Sequence, residues 1–386
     1  MFSANTISKF QQMDTPFYYY DMDLLRRTIF AANDAAKPGN FHIHFAMKAN
    51  FEERILKELL SNGFGADCVS GGEVARALAV GFSSESIVFA GVGKSDTEIK
   101  SALAADIFCF NCESPQEISV IDGLAKSAGK IARIALRINP DVDPHTHHYI
   151  TTGKEENKFG IYRSDIPAIL AQLPECKNVQ LVGIHFHIGS QVTDLSTYEL
   201  LCDRVNEIQD GLDEANIRIE HVNLGGGLGI DYYHPDEHPI VDFERYFGIF
   251  QQKLVVRPHQ TVHFELGRAL VGQCGSLISR VLYIKEGRKK QFAIIDAGMT
   301  ELIRPALYQA FHKIENISSD RAEKAYDVVG PICESSDSFG KDISLPETRR
   351  GDLIAIRSAG AYGAVMASRY NLREPVQAVF SDDLAG

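Results

Sequence analysis

Four short stretches carry side chains able to do chemistry, and each ends an apolar run. In FHIHFAMKAN, residues 41–50, an alternation of aromatic and β-branched residues runs into Lys48. A charge is costly inside a core. A lysine there either snorkels out to solvent or is a partly buried amine of lowered pKa, able to form a Schiff base. In HFHIGS, His185 and His187 stand at i and i+2, on one face of a strand, with Ser190 just beyond. Two such imidazoles serve as metal ligands, as satisfied core residues, or as a flat ring for stacking. In NLGGG the glycines Gly225, Gly226 and Gly227 let backbone N–H groups approach a phosphate. In ELGR, Glu265 precedes Gly267 and Arg268.

Taken singly, each stretch has a plain structural explanation; a GGG after a strand is as often only a tight turn. Taken together they supply an amine for an aldehyde, a flat ring partner, phosphate donors and a carboxylate for a heterocyclic nitrogen. Pyridoxal phosphate makes all four demands. Metal-dependent hydrolases also place HxH on a barrel strand, but they need further histidines and an aspartate at other strand ends. The later strands here end in glycines and in ELGR.

These residues must be positioned by regular elements. A helix is expected over 23–36, with Asp21 or Asp23 as its N-cap. Strands and helices then alternate: strand 42–47, a helix ended by Gly63, GADCVS, and a helix opened by Ser70 and Glu73 at capping-box spacing and closed by Gly81. IVFAG, DIFCFN, RIALRIN, LVGIHFHIG, HVNLGGG and TVHFELG complete eight strands, each separated from the next by a helical segment. The pattern implies a parallel sheet, and its eight repeats match a (β/α)8 TIM barrel over residues 24–265. An open doubly wound sheet is the alternative. Beyond it, residues 266–386 are short β-rich segments punctuated by glycine and read as an all-β domain, to which residues 1–23 lend a strand through YYYD. The polar stretch 141–157 sits at a strand's carboxyl end and is expected to be a lid.

The composition bounds the partners. At 386 residues the chain suits two domains, and 45% hydrophobic content gives ample core. A formal net charge of −12 argues against nucleic acid or an anionic membrane surface. No apolar run approaches a membrane span, and the N-terminus lacks a secretory signal, so a cytoplasmic location is expected. Seven cysteines are scattered, and the pair Cys109 and Cys112 at CxxC spacing reads as ordinary thiols in a reducing compartment.

FAMKAN, KEENKFGI, HFHIGSQ, NLGGGLGI, ELGR, RPALY, GPICESSD and GAYG follow one another along nearly the whole chain. In this the sequence resembles the fold-type III, alanine-racemase-like pyridoxal-phosphate enzymes and, within them, the diaminopimelate decarboxylase family. Leu266 departs from the family's usual proline. The resemblance implies decarboxylation of meso-2,6-diaminopimelate to L-lysine, the last step of lysine biosynthesis. Lys48 would hold the cofactor as a Schiff base and His187 would stack on its ring. Ser190, Gly225, Gly226, Gly227, backbone at Gly267 and Arg268, and Tyr362 would bind its phosphate. Glu265 would pair with the protonated pyridine nitrogen. Arg268, Arg304, Tyr308, Glu334 and Tyr362 would grip the substrate, and Cys333 would donate a proton to the carbanion. Because Cys333 and Glu334 enter the partner's site in this family, a homodimer with shared active sites is implied. The near alternatives are decarboxylases of ornithine, lysine, arginine or carboxynorspermidine; an alanine-racemase-type activity and a non-catalytic pyridoxal-phosphate-binding protein lie further off.

Overall fold

The computed structural model describes residues 2–142 and 158–384, so most of the expected lid lies outside the described residues. The chain forms two compact units. One comprises Ile29–Gly229 and Asp242–Gly267; the other comprises Met1–Thr28, Ile230–Val241 and Arg268–Gly386. Ile230–Val241 falls within the stretch expected to be barrel, yet it clusters with the second unit. No helix among the described residues is long and apolar enough to cross a membrane.

A first short strand, β1 (Phe17–Tyr20), precedes the barrel. The barrel strands are β2 (Phe41–Ala46), β3 (Gly65–Cys68), β4 (Ile87–Phe89), β5 (Cys109–Cys112), β6 (Ala132–Arg137), β7 (Val179–His185), β8 (His221–Asn223) and β9 (Thr261–Leu266). They close as a parallel barrel, because β2 pairs with both β3 and β9. That closure excludes the open sheet. Local signals at the helix ends explain the alternation. The Asp21 carboxylate accepts the Leu24 N–H at 2.9 Å at the start of Met22–Ala36. Gly81, at φ +112°, ends Gly71–Val80. Ser70 accepts the Glu73 N–H, but the Glu73 carboxylate turns to the Val69 N–H at 2.7 Å, so the expected box is only half formed. A full capping box instead joins Ser95 and Glu98.

The amino-terminal end of the barrel holds a cluster of imidazoles. His44 Nδ1 donates to the Ser86 carbonyl at 3.1 Å, which leaves its Nε2 to accept from His263 Nδ1 at 2.9 Å. His263 Nε2 then accepts the Thr261 hydroxyl at 2.7 Å. His42 stacks on His263, and Phe108 packs on His221 beneath the Arg133 guanidinium, which Glu220 pairs. Every bond in this chain is satisfied with neutral rings. Burial pushes His44 down to about 4, against a partial pull upward from Glu265, and pushes His221 down to about 3, with Arg133 adding to the effect. The folded pKa values lie below the unfolded value, so the unfolded state binds protons first. Stability is therefore fully present above about pH 6.5 and is lost as pH falls toward 4. His44→Asn is expected to flatten this loss in urea titrations between pH 7 and 4.5; an unaltered pH slope would contradict the assignment.

The second unit is built on β10 (Gly275–Glu286), with β11 (Gln291–Ile295), β12 (Ile314–Asn316), β13 (Glu323–Val329), β14 (Ser338–Pro346), β15 (Leu353–Ile356) and β16 (Gln377–Phe380). The sheet order is β12-β15-β10-β11-β13-β14 and the pairing is mostly antiparallel. β1 runs antiparallel to β10 and parallel to β16. Phe10, Phe17, Tyr19, Ile278, Leu353, Ala355 and Val379 form a core there, with Phe10 edge-on to Phe17 and Tyr19 at 5.3 and 5.0 Å.

Candidate active site

Within the barrel unit, chemistry gathers at the carboxyl ends of the strands, the end at which barrels carry function. β2 leads into the short turn Met47–Ala49, which presents Lys48 with its side chain 37% exposed. Its Nζ lies 3.8 Å from Oδ2 of Asp67, a buried residue of β3. Neither Asp67 carboxylate oxygen has a hydrogen-bond partner among the described residues. Burial and then the charge of Glu265 push the Asp67 carboxyl up to about 8, with Lys48 pulling the other way.

Glu265 has the opposite environment. In register it lies opposite His44, and its backbone N–H donates to the Gly225 carbonyl at 2.8 Å. Its carboxylate accepts from His185 Nε2 at 3.0 Å, Asn223 Nδ2 at 2.8 Å and Asn111 Nδ2 at 3.3 Å. Burial acts to raise its pKa, but His185, the hydrogen bond from that ring and the charge of Lys48 outweigh it and hold the carboxyl well below the usual range. Two buried carboxyls are thus driven apart: Glu265 is kept ionised while Asp67 is eased toward its neutral form.

The glycine run after β8 packs so closely on neighbouring backbone that no side chain fits there. Gly225 and Gly227 adopt φ of +67° and +97°. A Cβ at Gly226 would stand 1.8 Å from the Glu265 carbonyl oxygen, and one at Gly225 would stand 2.1 Å from that of Phe186. A Cβ at Gly267 would press on the side chains of Ala49 and Ala46. The Asn223 side chain, besides holding Glu265, accepts the Gly225 N–H at 2.9 Å and so sets the turn.

The two histidines of HxH part company. β7 ends at His185, which is buried beneath Glu265, so His187 lies beyond the strand and the two do not share one strand face. His187 Nδ1 accepts the Gly226 N–H at 3.4 Å. Burial, with the charges of Lys48 and Arg137, pushes its pKa well down and keeps the ring neutral. Ser190 follows it in the same loop. Leu266 occupies the last position of β9, paired with Phe45 and fully buried, so strand pairing fixes Glu265 without a proline. Cys109 and Cys112 are buried thiols whose pKa values burial pushes upward, which disfavours the thiolate that redox or metal chemistry needs.

In the sheet unit, two guanidiniums converge. Arg268 opens the helix Arg268–Val271, and Arg304 opens Arg304–Tyr308, whose last residue is Tyr308. Both donate through Nη1 to the hydroxyl of Tyr232, at 2.8 Å from Arg304. The Arg268 guanidinium also lies 4.8 Å over the ring of Tyr362. Arg304 is buried, its Nε has no hydrogen-bond partner and it has no carboxylate partner among the described residues. A buried cation in that condition suits an incoming carboxylate.

The expected proton donor sits on a separate loop. Cys333 and Glu334 are both exposed, which rules out the cysteine as a buried small hydrophobe. The buried Asp337 carboxylate pins this loop by accepting from the Ile332 and Met299 N–H groups, each at 2.6 Å. Glu334 accepts the Tyr370 hydroxyl at 2.7 Å. Asp67, Asn111, Tyr232, His312 and Asp337 were not singled out from the sequence. Asp67 is an acid inside the short strand GADC, Asn111 ends the run DIFCFN and Asp337 ends GPICESSD, whereas Tyr232 and His312 left no readable signal there.

Comparison with known proteins follows the same lines. Residues 23–272 match the family model described as pyridoxal-dependent decarboxylase, pyridoxal binding domain. The diaminopimelate decarboxylase of Bacteroides thetaiotaomicron is 57% identical over 379 residues, 98% of this chain and 98% of that protein. That of Neisseria meningitidis serogroup B is 44% identical over 369 residues, 95% of this chain and 88% of that protein. The crystal structure of diaminopimelate decarboxylase from Helicobacter pylori complexed with L-lysine superposes with a TM-score of 0.91 at 40% identity, covering 97% of this chain and 93% of that one.

Proposed function

The chain belongs to the diaminopimelate decarboxylase family of the pyridoxal-dependent decarboxylases, and on that basis we propose that it converts meso-2,6-diaminopimelate to L-lysine and carbon dioxide, the last step of lysine biosynthesis. The observation that carries the chemistry is that the barrel unit holds both a reachable Lys48, beside the buried Asp67, and an ionised, triply hydrogen-bonded Glu265 whose carboxyl feels the charge of that lysine.

The residues present fit pyridoxal phosphate. The glycines at 225–227 keep side chains out of the turn beside His187 and Glu265, and Asp67 keeps two unsatisfied oxygens beside the Lys48 amine. Lys48 would tether the cofactor's aldehyde carbon. His187 would lie on its ring, and Ser190, Gly225, Gly226, Gly227, backbone at Gly267 and Arg268, and Tyr362 would take its phosphate. When bound, the cofactor supplies an electron sink for the carbanion left as carbon dioxide departs. The chain's own residues do the rest. Glu265 Oε would accept a hydrogen bond from the protonated ring nitrogen and hold the proton there. Arg268, Arg304, Tyr308 and Tyr362 orient the substrate, with the guanidiniums on its far carboxylate, and Glu334 takes the far ammonium. Cys333 Sγ delivers the proton that replaces the lost carboxyl group.

We infer a homodimer with shared sites, since Cys333 and Glu334 are exposed on the single chain and available to a second copy. The seven cysteines are all free, which supports a place in the reducing cytoplasm. The direct test is carbon dioxide release from meso-diaminopimelate by the purified protein supplied with pyridoxal phosphate. Release that depends on the cofactor is expected; none under saturating substrate would refute the reading.

A further inference from the structure

We propose that Tyr232 is a positioning residue that aims Arg268 and Arg304 together at one carboxylate, and thereby sets the preference for a substrate with a carboxylate at its far end. This rests on the function proposed above.

The geometry begins with the segment Ile230–Val241, which belongs to the sheet unit and brings Tyr232 to the two arginines. Its hydroxyl oxygen accepts an N–H from each guanidinium. Its ring also lies under both, at 5.9 Å from Arg268 and 5.2 Å from Arg304. Two like charges held to one buried atom repel each other, and the phenol oxygen and ring face offset only part of that. A carboxylate completes the compensation, and its two oxygens match two guanidinium forks.

The ring itself is held in place. His312 stands edge-on to it at 5.0 Å and 79°. His312 Nδ1 donates to the Arg357 carbonyl at 2.9 Å, so its Nε2 is left to accept from Arg304 Nη1 at 3.0 Å. Burial and then Arg304 push His312 down to about 3, so it stays neutral. Arg304 is therefore fixed from both sides, by an imidazole and by the tyrosine.

The same arrangement makes the site sensitive to alkali. Burial acts to raise the Tyr232 pKa, but Arg268 and Arg304 outweigh it and bring it below the ordinary tyrosine value. The groups facing the hydroxyl are Arg268, Arg304 and His312. The nearby carboxylates are engaged elsewhere: Asp231 accepts from Tyr233 and His234, and Asp236 and Glu315 accept from Arg357. As pH rises, the phenolate neutralises the cations and competes with the substrate's carboxylate, so KM rises.

The test compares wild type and Tyr232→Phe on meso-diaminopimelate from pH 7 to 10, with melting temperature and cofactor absorbance as folding controls. At pH 7.5 KM is expected to rise about tenfold or more, as for loss of a charge-assisted hydrogen bond, while kcat falls less than about threefold on the same reasoning. The ratio of the two KM values should shrink as pH rises, because only wild type acquires the phenolate. A KM within twofold of wild type, a loss confined to kcat, or a pH-independent ratio would overturn the proposal. If the variant does not fold, full-length protein made with 3-fluorotyrosine decides: its alkaline rise in KM should move to lower pH, and an unmoved rise would refute the role. Wild type that releases no carbon dioxide from meso-diaminopimelate would instead refute the proposed function, and this inference with it.

Discussion

Replacing Lys48 by alanine is expected to abolish the cofactor's covalent tether and to lower kcat by at least about a thousandfold. Lys48 meets the two physical needs of a tethering amine. It is reachable, with 37% of its side chain exposed, and it is the cation 3.8 Å from the buried Asp67 carboxyl. Burial and Glu265 push that carboxyl up to about 8, so Asp67 offers the ammonium a weaker counter-charge than an ordinary aspartate. Arginine in place of Lys48 would stay protonated and could not replace it. The check is visible absorbance of the protein with pyridoxal phosphate, followed by borohydride reduction and peptide mass analysis. The label should lie on the peptide containing Lys48 in wild type and vanish in the variant. An unchanged spectrum in Lys48→Ala would contradict the whole assignment.

The second large effect is expected at Glu265. Glu265→Gln keeps the shape and removes the charge, so kcat should fall about 100- to 1,000-fold, the scale of a lost preorganised electrostatic partner, while the tether at Lys48 survives. The carboxylate accepts from His185, Asn223 and Asn111. An amide offers one acceptor atom where three donors point, and its own N–H2 would face one of them, leaving a buried donor unsatisfied. Steady-state kinetics with the absorbance spectrum as control would check it. Activity within tenfold of wild type would show that the charge is dispensable.

Much of this was legible in the sequence because charges and glycines stand out at the ends of apolar runs. Lys48, Glu265 and the glycines 225–227 are of this kind, and so is the strand–helix alternation that became the closed barrel. Other parts depend on contacts distant in sequence. Tyr232 lies in an aperiodic segment, and its meaning comes from Arg268 and Arg304, 36 and 72 residues on. Asn111 supports Glu265 from β5, across 154 residues. Even a correct local signal was ambiguous in detail: Glu73 has capping-box spacing but bonds Val69 rather than Ser70. The HxH motif misled in a simpler way, since its strand stops at the first histidine.

The most direct measurement is product analysis. The purified protein, charged with pyridoxal phosphate, is offered meso-diaminopimelate, ornithine, L-lysine and arginine one at a time, and the products are identified by mass spectrometry. L-lysine formed from meso-diaminopimelate, with no product from the others, is the expected result. Putrescine, cadaverine or agmatine in its place would contradict the substrate assignment and move the chain to a related decarboxylase activity on the same barrel.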